Sequence, residues 1–176
     1  PTGIDGIDNL LNGGLAKGEL GVILAPTGVG KTTILTRFAN TAFNMGYNVL
    51  QIFFEDNPKI IQRKHFTCWT GIEPQKLSEN KEIVLSKADE MKKNGGKLIL
   101  KKLASDEFTI AQIKNQIRKI TAEGITLDIV VLDYIDCVIP DRSYNDEWKG
   151  EGSVMRKFEG MCHELNLVGW TAAQGN

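Results

Sequence analysis

The chain has 176 residues, 41% of them hydrophobic and 24% charged, with a formal net charge of −1. This is an ordinary composition for one domain with a sizeable core, and it carries no global basic footprint for nucleic acid, although a local loop can still bind it. No apolar stretch is long enough to span a bilayer and no secretory leader is visible, so no membrane partner is expected.

In chain order, Ile4, Ile7, Leu10 and Leu11 recur at helical spacing and predict a short amphipathic helix ending at Gly13. Leu20 to Leu24 reads as a buried strand, and Thr32 to Met45 as a helix broken by Gly46-Tyr47-Asn48. Val49 to Phe54 is rich in β-formers and predicts the second strand. Pro58 opens a helix through Cys68, and a turn follows at Gly71. Pro74 and Ser78 begin a helical stretch to Lys93, with Ile83, Leu85, Ala88 and Met91 as its apolar side. Leu98-Ile99-Leu100 is a short strand. Thr109 to Glu123 places Ile110, Ile113, Ile117 and Ile120 three and four apart, with Gly124 at its end. Ile129 to Leu132 is fully apolar, as expected of a central parallel strand. Pro140 to Gly152 predicts a mobile polar loop, Val154 to Leu165 a helix, and Leu167 to Ala172 the last strand. The alternation predicts an α/β fold with a mostly parallel sheet flanked by helices on both faces.

Cys68, Cys137 and Cys162 show no metal-type spacing and read as reduced, buried thiols of a cytoplasmic protein. His65 and His163 stand too far apart to suggest a metal site and read as structural. The chain starts at Pro1 without methionine and stops at Asn176 just after an apolar run. It therefore reads as a single domain, 1–176, truncated at both ends relative to its parent.

The chemistry begins between the first strand and its helix, at Ala25-Pro26-Thr27-Gly28-Val29-Gly30-Lys31-Thr32, followed by Thr33. Glycines there let successive N–H groups curl around phosphate oxygens, and the new helix adds its positive end. Lys31 reaches the terminal phosphates and Thr32 is placed to hold Mg²⁺, so the expected ligand is ATP with Mg²⁺. Ala25 stands where the strict P-loop pattern has glycine, and it is small enough to pass beneath the phosphates.

Three further residues lie at predicted strand ends, the edge at which open α/β sheets gather ligands. Asp133 follows Ile129 to Leu132 and is the expected second holder of Mg²⁺, with Asp136 a minor candidate. Glu55 follows the second strand and suits a base that activates water; its neighbour Asp56 is the alternative. Gln174 follows the last strand. Its amide both donates and accepts, which suits sensing of the γ-phosphate.

These motifs together resemble the RecA-like ATPase core of the DnaB family of replicative helicases, the superfamily-4 group that includes phage enzymes. Thr2-Gly3-Ile4-Asp5, Gly13-Gly14-Leu15 and Gly18-Glu19 resemble the lead-in of RecA-like proteins. Phe53-Phe54-Glu55 resembles the motif that carries the catalytic base, and Arg63 matches a recurrent arginine after it. Leu132-Asp133-Tyr134 resembles the Walker B signature, and Thr171-Ala172-Ala173-Gln174 the motif ending in the sensor glutamine.

The resemblance implies ATP hydrolysis coupled to translocation on single-stranded DNA and to duplex unwinding by a homo-hexamer, in a bacterium or phage-infected host. It also implies an arginine finger from a neighbouring subunit, with that finger, a linker helix and some DNA loops lying outside this chain, so that the isolated piece hydrolyses ATP weakly. Pro140 to Gly152 falls where the family approaches the central channel. Its acids (Asp141, Asp146, Glu147, Glu151) outnumber Arg142 and Lys149, which argues against direct phosphate contact. Two other readings stay open: a RecA- or KaiC-like ATPase whose nucleotide cycle controls assembly or strand exchange, and a non-catalytic ATP-dependent loader.

Overall fold

The computed structural model describes residues 1–142 and 147–175. In chain order the elements are α1 (Asp5–Leu10), β1 (Leu20–Ala25), α2 (Lys31–Asn44), β2 (Val49–Phe53), α3 (Pro58–Thr70), α4 (Lys81–Met91), β3 (Leu98–Lys102), α5 (Ile110–Ala122), β4 (Ile129–Asp133), α6 (Glu147–Leu165) and β5 (Val168–Gln174). The five strands form one sheet in the order β1-β5-β4-β2-β3, and every pairing is parallel. All strand carboxyl ends therefore meet one edge, and that edge carries the site.

Strand pleating sends alternate side chains to opposite faces. Leu50, Ile52, Val130 and Leu132 point to the face packed by Ile113 and Ile117 of α5 and Phe158 and Met161 of α6. Val49, Val131, Trp170 and Ala172 point to the other, packed by Leu35, Phe38, Ala39 and Phe43 of α2. Trp170 lies directly over Gly21 in the paired strand β1, where an added Cβ would come within 2.3 Å of the ring. No other residue fits at Gly21 without moving the tryptophan. The isoleucines of α5 are all buried, and a reciprocal capping box between Thr109 and Gln112 starts that helix.

Several expectations change. The run at Leu20 is not a buried strand: β1 stands at the sheet edge, and Leu24 is 71% exposed. In α1, Ile4, Ile7 and Leu11 pack on the core while Leu10 faces solvent. In α4 the inward residues are Val84 and Met91, whereas Ile83 and Leu85 are exposed. The helix rotates so that its β-branched Val84, not the two larger flanking residues, meets the layer beneath. The stretch from Pro74 is a short 3-10 turn, Pro74–Lys76, before α4 begins.

The expected loop Pro140–Gly152 is shorter, because α6 already starts at Glu147. Gly150 and Gly152 each cost a helix about 1 kcal/mol relative to alanine, but Val154, Phe158, Met161 and Cys162 anchor it to the core. Residues 143–146, with the acid Asp146, lie outside the described residues. All three cysteines are free thiols. Cys137 and Cys162 are buried, as expected, but Cys68 is only half-buried. His163 is exposed.

His65 is structural, and its environment is specific. It is 1% exposed beneath α2. Its Nε2 meets Gln51 Oε1 at 2.9 Å, and Gln51 Nε2 donates to Thr36 Oγ1 at 3.2 Å. The amide thus accepts from the ring, which puts the ring proton on Nε2. Burial pushes the His65 pKa down to about 4.

Between pH 6.5 and 4 the unfolded chain takes up a proton at this position that the folded chain refuses, so the stability contributed by neutral His65 is full above pH 6.5 and lost on acidification. The difference in unfolding free energy between wild type and His65→Gln should therefore narrow by about 3 kcal/mol from pH 7 to pH 4, measured by urea unfolding at each pH.

Candidate nucleotide-binding and hydrolysis site

The turn between β1 and α2 has the conformation expected of a phosphate-binding loop. Gly28 and Gly30 adopt φ of +83° and +100°, the left-handed region open to glycine. Gly30 is the N-cap of α2 and offers no capping side chain. The first-turn N–H groups and the positive helix end therefore point at the loop's concavity. The Lys31 ammonium arches back over the loop and donates to the carbonyls of Ala25 (2.9 Å) and Pro26 (3.3 Å).

Across from the loop, β4 delivers Asp133 to the same edge. The Thr32 hydroxyl donates to Asp133 Oδ1 at 3.2 Å, which ties the start of α2 to the end of β4. Asp133 is only 5% exposed, and burial pushes its pKa up to about 6. The Thr32 hydrogen bond and the Lys64 charge pull the pKa back down, while Asp56 and Glu55 add to the upward push.

The hydroxyl and carboxylate are hard oxygen donors of the kind Mg²⁺ takes alongside phosphate oxygens and waters. Among the described residues no group of three or more His, Cys, Asp or Glu is arranged to hold a metal ion.

A cleft of about 240 Å³ is lined by Thr27, Gly28, Gly30, Lys31, Thr32, Thr33, Glu55, Asp56, Lys64, Asp133 and Tyr134. Of the residues singled out in the sequence, Lys31, Thr32, Thr33, Glu55 and Asp133 thus share one cleft. Gln174 does not line it. It ends β5 opposite Ala25, its side chain is exposed, and its N–H donates to Asp136 Oδ2 at 2.8 Å. Asp136 is engaged there, on the β5 side, rather than on the Thr32 side.

The choice between Glu55 and Asp56 also becomes sharper. The Asp56 carboxylate is ion-paired with Lys64 at 3.0 Å. The Glu55 carboxylate accepts from the Tyr134 hydroxyl at 3.2 Å. Burial, with Cys137 and Glu55 close by, holds that hydroxyl protonated well above the ordinary tyrosine range. The same tyrosine ring lies 5.5 Å from the Lys31 ammonium. Tyr134 therefore bridges Lys31 and Glu55.

Arg63, marked in the sequence, is exposed. Its neighbour Lys64 lines the cleft instead, because α3 turns that residue back over its own first turn. Lys64 sits midway along α3, and its long side chain reaches back toward the helix N-terminus, where Asp56 lies just before the cap.

Asp133 carries a proton more readily folded than unfolded, so between pH 6 and 4 stability rises as pH falls, and at neutral pH the ionised carboxylate is a cost. Asp133→Asn should raise the unfolding free energy by about 2–3 kcal/mol at pH 7 and by little at pH 4, read by chemical denaturation. The same variant should lose Mg²⁺-dependent tightening of nucleotide binding.

Known proteins place this geometry in a family. Two curated relatives match, both the DNA repair protein RadA of Mycobacterium tuberculosis, from strains CDC 1551 / Oshkosh and ATCC 25618 / H37Rv. Each is 29% identical over 85 residues, which is 47% of this chain and 18% of the relative. The match spans less than a fifth of those proteins.

Among solved structures, a DnaB-like replicative helicase described with its interactions with primase superposes with a TM-score of 0.82 at 17% identity, over 99% of this chain and 42% of that one. A second solved structure, an ATPase domain, superposes with a TM-score of 0.80 at 18% identity, over 99% of this chain and 63% of that one. At such identities the likeness is one of fold, that of the RecA-like ATPase core. The family model for the KaiC ATPase matches residues 1–156, and by that match the chain belongs to the KaiC family of ATPases.

Proposed function

We propose that this chain is the ATP-hydrolysing motor domain of a replicative DNA helicase, coupling Mg-ATP hydrolysis to movement along single-stranded DNA and to duplex unwinding. The observation that carries the reading is the cleft at the sheet's carboxyl edge, where Lys31, the Thr32–Asp133 pair and Glu55 face one another. The superposition on the DnaB-like helicase and on the second ATPase domain, over nearly the whole chain, supports it.

In this reading the triphosphate lies in the loop from Ala25 to Thr33, and Lys31 moves from the Ala25 and Pro26 carbonyls to the terminal phosphates. Thr32 and Asp133 would hold Mg²⁺, which would supply charge neutralisation at the phosphate oxygens. Glu55 orients the attacking water and takes its proton, while the Tyr134 hydroxyl fixes the carboxylate's direction. Gln174, one strand from the loop, reports the γ-phosphate state to the segments beyond β5. An arginine from a neighbouring subunit of a homo-hexamer completes the charge stabilisation, a device worth on the order of 10³–10⁵ in rate. The chain is then one truncated domain of a longer cytoplasmic protein, and single-stranded DNA is met mainly by parts outside it.

A second reading has its own support. The KaiC family match and the RadA relatives favour an ATPase whose nucleotide cycle controls assembly or strand exchange. The two are separated by measuring ATP hydrolysis by the intact protein with and without single-stranded DNA, beside a forked-duplex unwinding assay. Stimulation with unwinding is expected; stimulation without unwinding selects the second reading. Taken alone, the chain should bind Mg-ATP and turn it over slowly. In the intact protein Glu55→Gln should keep nucleotide affinity within about twofold and lose about 10²-fold or more in turnover, the scale of a positioned base. Full turnover in that variant would move the base elsewhere.

A further inference from the structure

We propose that Lys102 is a positioning residue for the hydrolytic base, holding the main chain that carries Glu55. The proposal rests on the assignment of Glu55 made above. Strand β3 ends at Lys102, in register with Phe53, the last residue of β2. Just beyond that point the ladder runs out. The Phe53 carbonyl still accepts from Leu103 N at 3.0 Å, and Phe54 N still donates to the Asp133 carbonyl at 3.3 Å. The next two carbonyls, of Glu55 and Asp56, have left the sheet. Lys102 Nζ donates to both, at 2.8 and 2.9 Å.

One ammonium thus replaces two strand bonds at the residue whose side chain must point into the cleft. Lys102 does not line the cleft. Its action on the reaction runs through the backbone.

The neighbouring supports make the geometry determinate. On the far side, Asp56 is paired with Lys64 at 3.0 Å, and Asn57 Oδ1 caps α3 by accepting from Lys59 N at 2.9 Å. From the β4 side the Tyr134 hydroxyl holds the carboxylate itself. Lys102 thus fixes where Glu55 starts and Tyr134 fixes where it ends. The preceding lysine offers a contrast: Lys101 points to the opposite face and donates to Gln116 of α5 at 2.7 Å. Two adjacent lysines of one strand therefore have separate tasks, and Lys101→Met serves as the control.

Exposed single cations contribute little to global stability, whereas displacing a reacting group by about an ångström costs on the order of 100-fold in rate. In the intact protein, single-turnover ATP hydrolysis with enzyme in excess should fall about tenfold to a hundredfold in Lys102→Met. Affinity for a non-hydrolysable ATP analogue should stay within about twofold, with the melting temperature little changed. Lys102→Arg, which keeps a donor to both carbonyls, should recover most of the rate, and Lys101→Met should hydrolyse at the wild-type rate. An inactive Glu55→Gln beside a fully active Lys102→Met overturns this proposal alone. Loss of rate, affinity and melting temperature together in Lys102→Met overturns it by making the lysine merely structural. Turnover that survives in Glu55→Gln overturns the base assignment and this proposal with it.

Discussion

A carboxylate at the end of a buried strand is a costly thing to place, and much of this site depends on how Asp133 is accommodated. The strand delivering it, Ile129–Asp133, is central and apolar, so the residue arrives with almost no water around it. Its polar neighbours decide its state. The Thr32 hydroxyl bonds it, the Lys64 ammonium offsets its charge, and the carboxylates of Glu55 and Asp56 push the other way. The result is a carboxyl whose pKa is pushed up to about 6 and which bears the cost of burial when ionised at neutral pH. In the proposed reading, a divalent cation beside the ionised carboxylate would offset that cost, so that burial would turn into affinity.

The same hydroxyl fixes the start of α2 relative to β4, and a second polar cluster fixes the rest of that helix. Thr36 lies one turn further on, where it receives the Gln51 amide, and Gln51 in turn meets His65 of α3. Two polar chains therefore run from α2 into the sheet, one at the phosphate end and one in the interior. Burial disfavours charge on His65, whose Nε2–H donates to Gln51 in either state, and burial likewise disfavours the ionised form of Asp133 against the pull of the Thr32 hydrogen bond. Their proton linkages have opposite signs over overlapping pH ranges, so the wild-type protein shows a flatter acid response than either group would give alone. Fold rigidity and site chemistry are set by the same helix.

The parts of this arrangement that follow from local pattern were legible in the sequence. The P-loop, the apolar β4 with Asp133 at its end, and the isoleucine stripe of α5 each rest on spacing within one element, and each stands where the pattern put it. What was not legible depends on neighbours distant in sequence. The edge position of β1 follows from strand order, which an apolar run does not encode. The rotation of α4 onto Val84 follows from the layer beneath it, since Ile83, Val84 and Leu85 are consecutive and equally apolar in type. The helical start at Glu147 overrides two glycines through contacts made a turn or more later. Within the site, the Tyr134–Glu55 contact, the Lys64–Asp56 pair and the reach of Lys102 to two carbonyls all join segments that the chain alone keeps apart. A lysine doublet after Leu98-Ile99-Leu100 reads as a polar stop, and only the parallel register with Phe53 turns it into a clamp.

Gln174 is the residue for which sequence and geometry differ most in emphasis, and the hydrogen bonds explain how it can matter without lining the cleft. The Ala25 carbonyl accepts from Lys31 Nζ at 2.9 Å and from Gly175 N at 3.3 Å. One acceptor is therefore shared between Lys31 and the residue following Gln174. Gln174 N is meanwhile fixed to Asp136, whose carboxyl is held up by burial and drawn down by that N–H and by the Lys31 charge. In the proposed reading, moving the ammonium off Ala25 toward a phosphate would leave that carbonyl to Gly175 alone and would remove a positive charge from beside Asp136. Both changes fall on the end of β5. A sensing role for this strand end thus does not need the glutamine amide to touch the nucleotide: Lys31, the lysine proposed to grip the phosphates, is already bonded, through one carbonyl, to the segment that would have to respond.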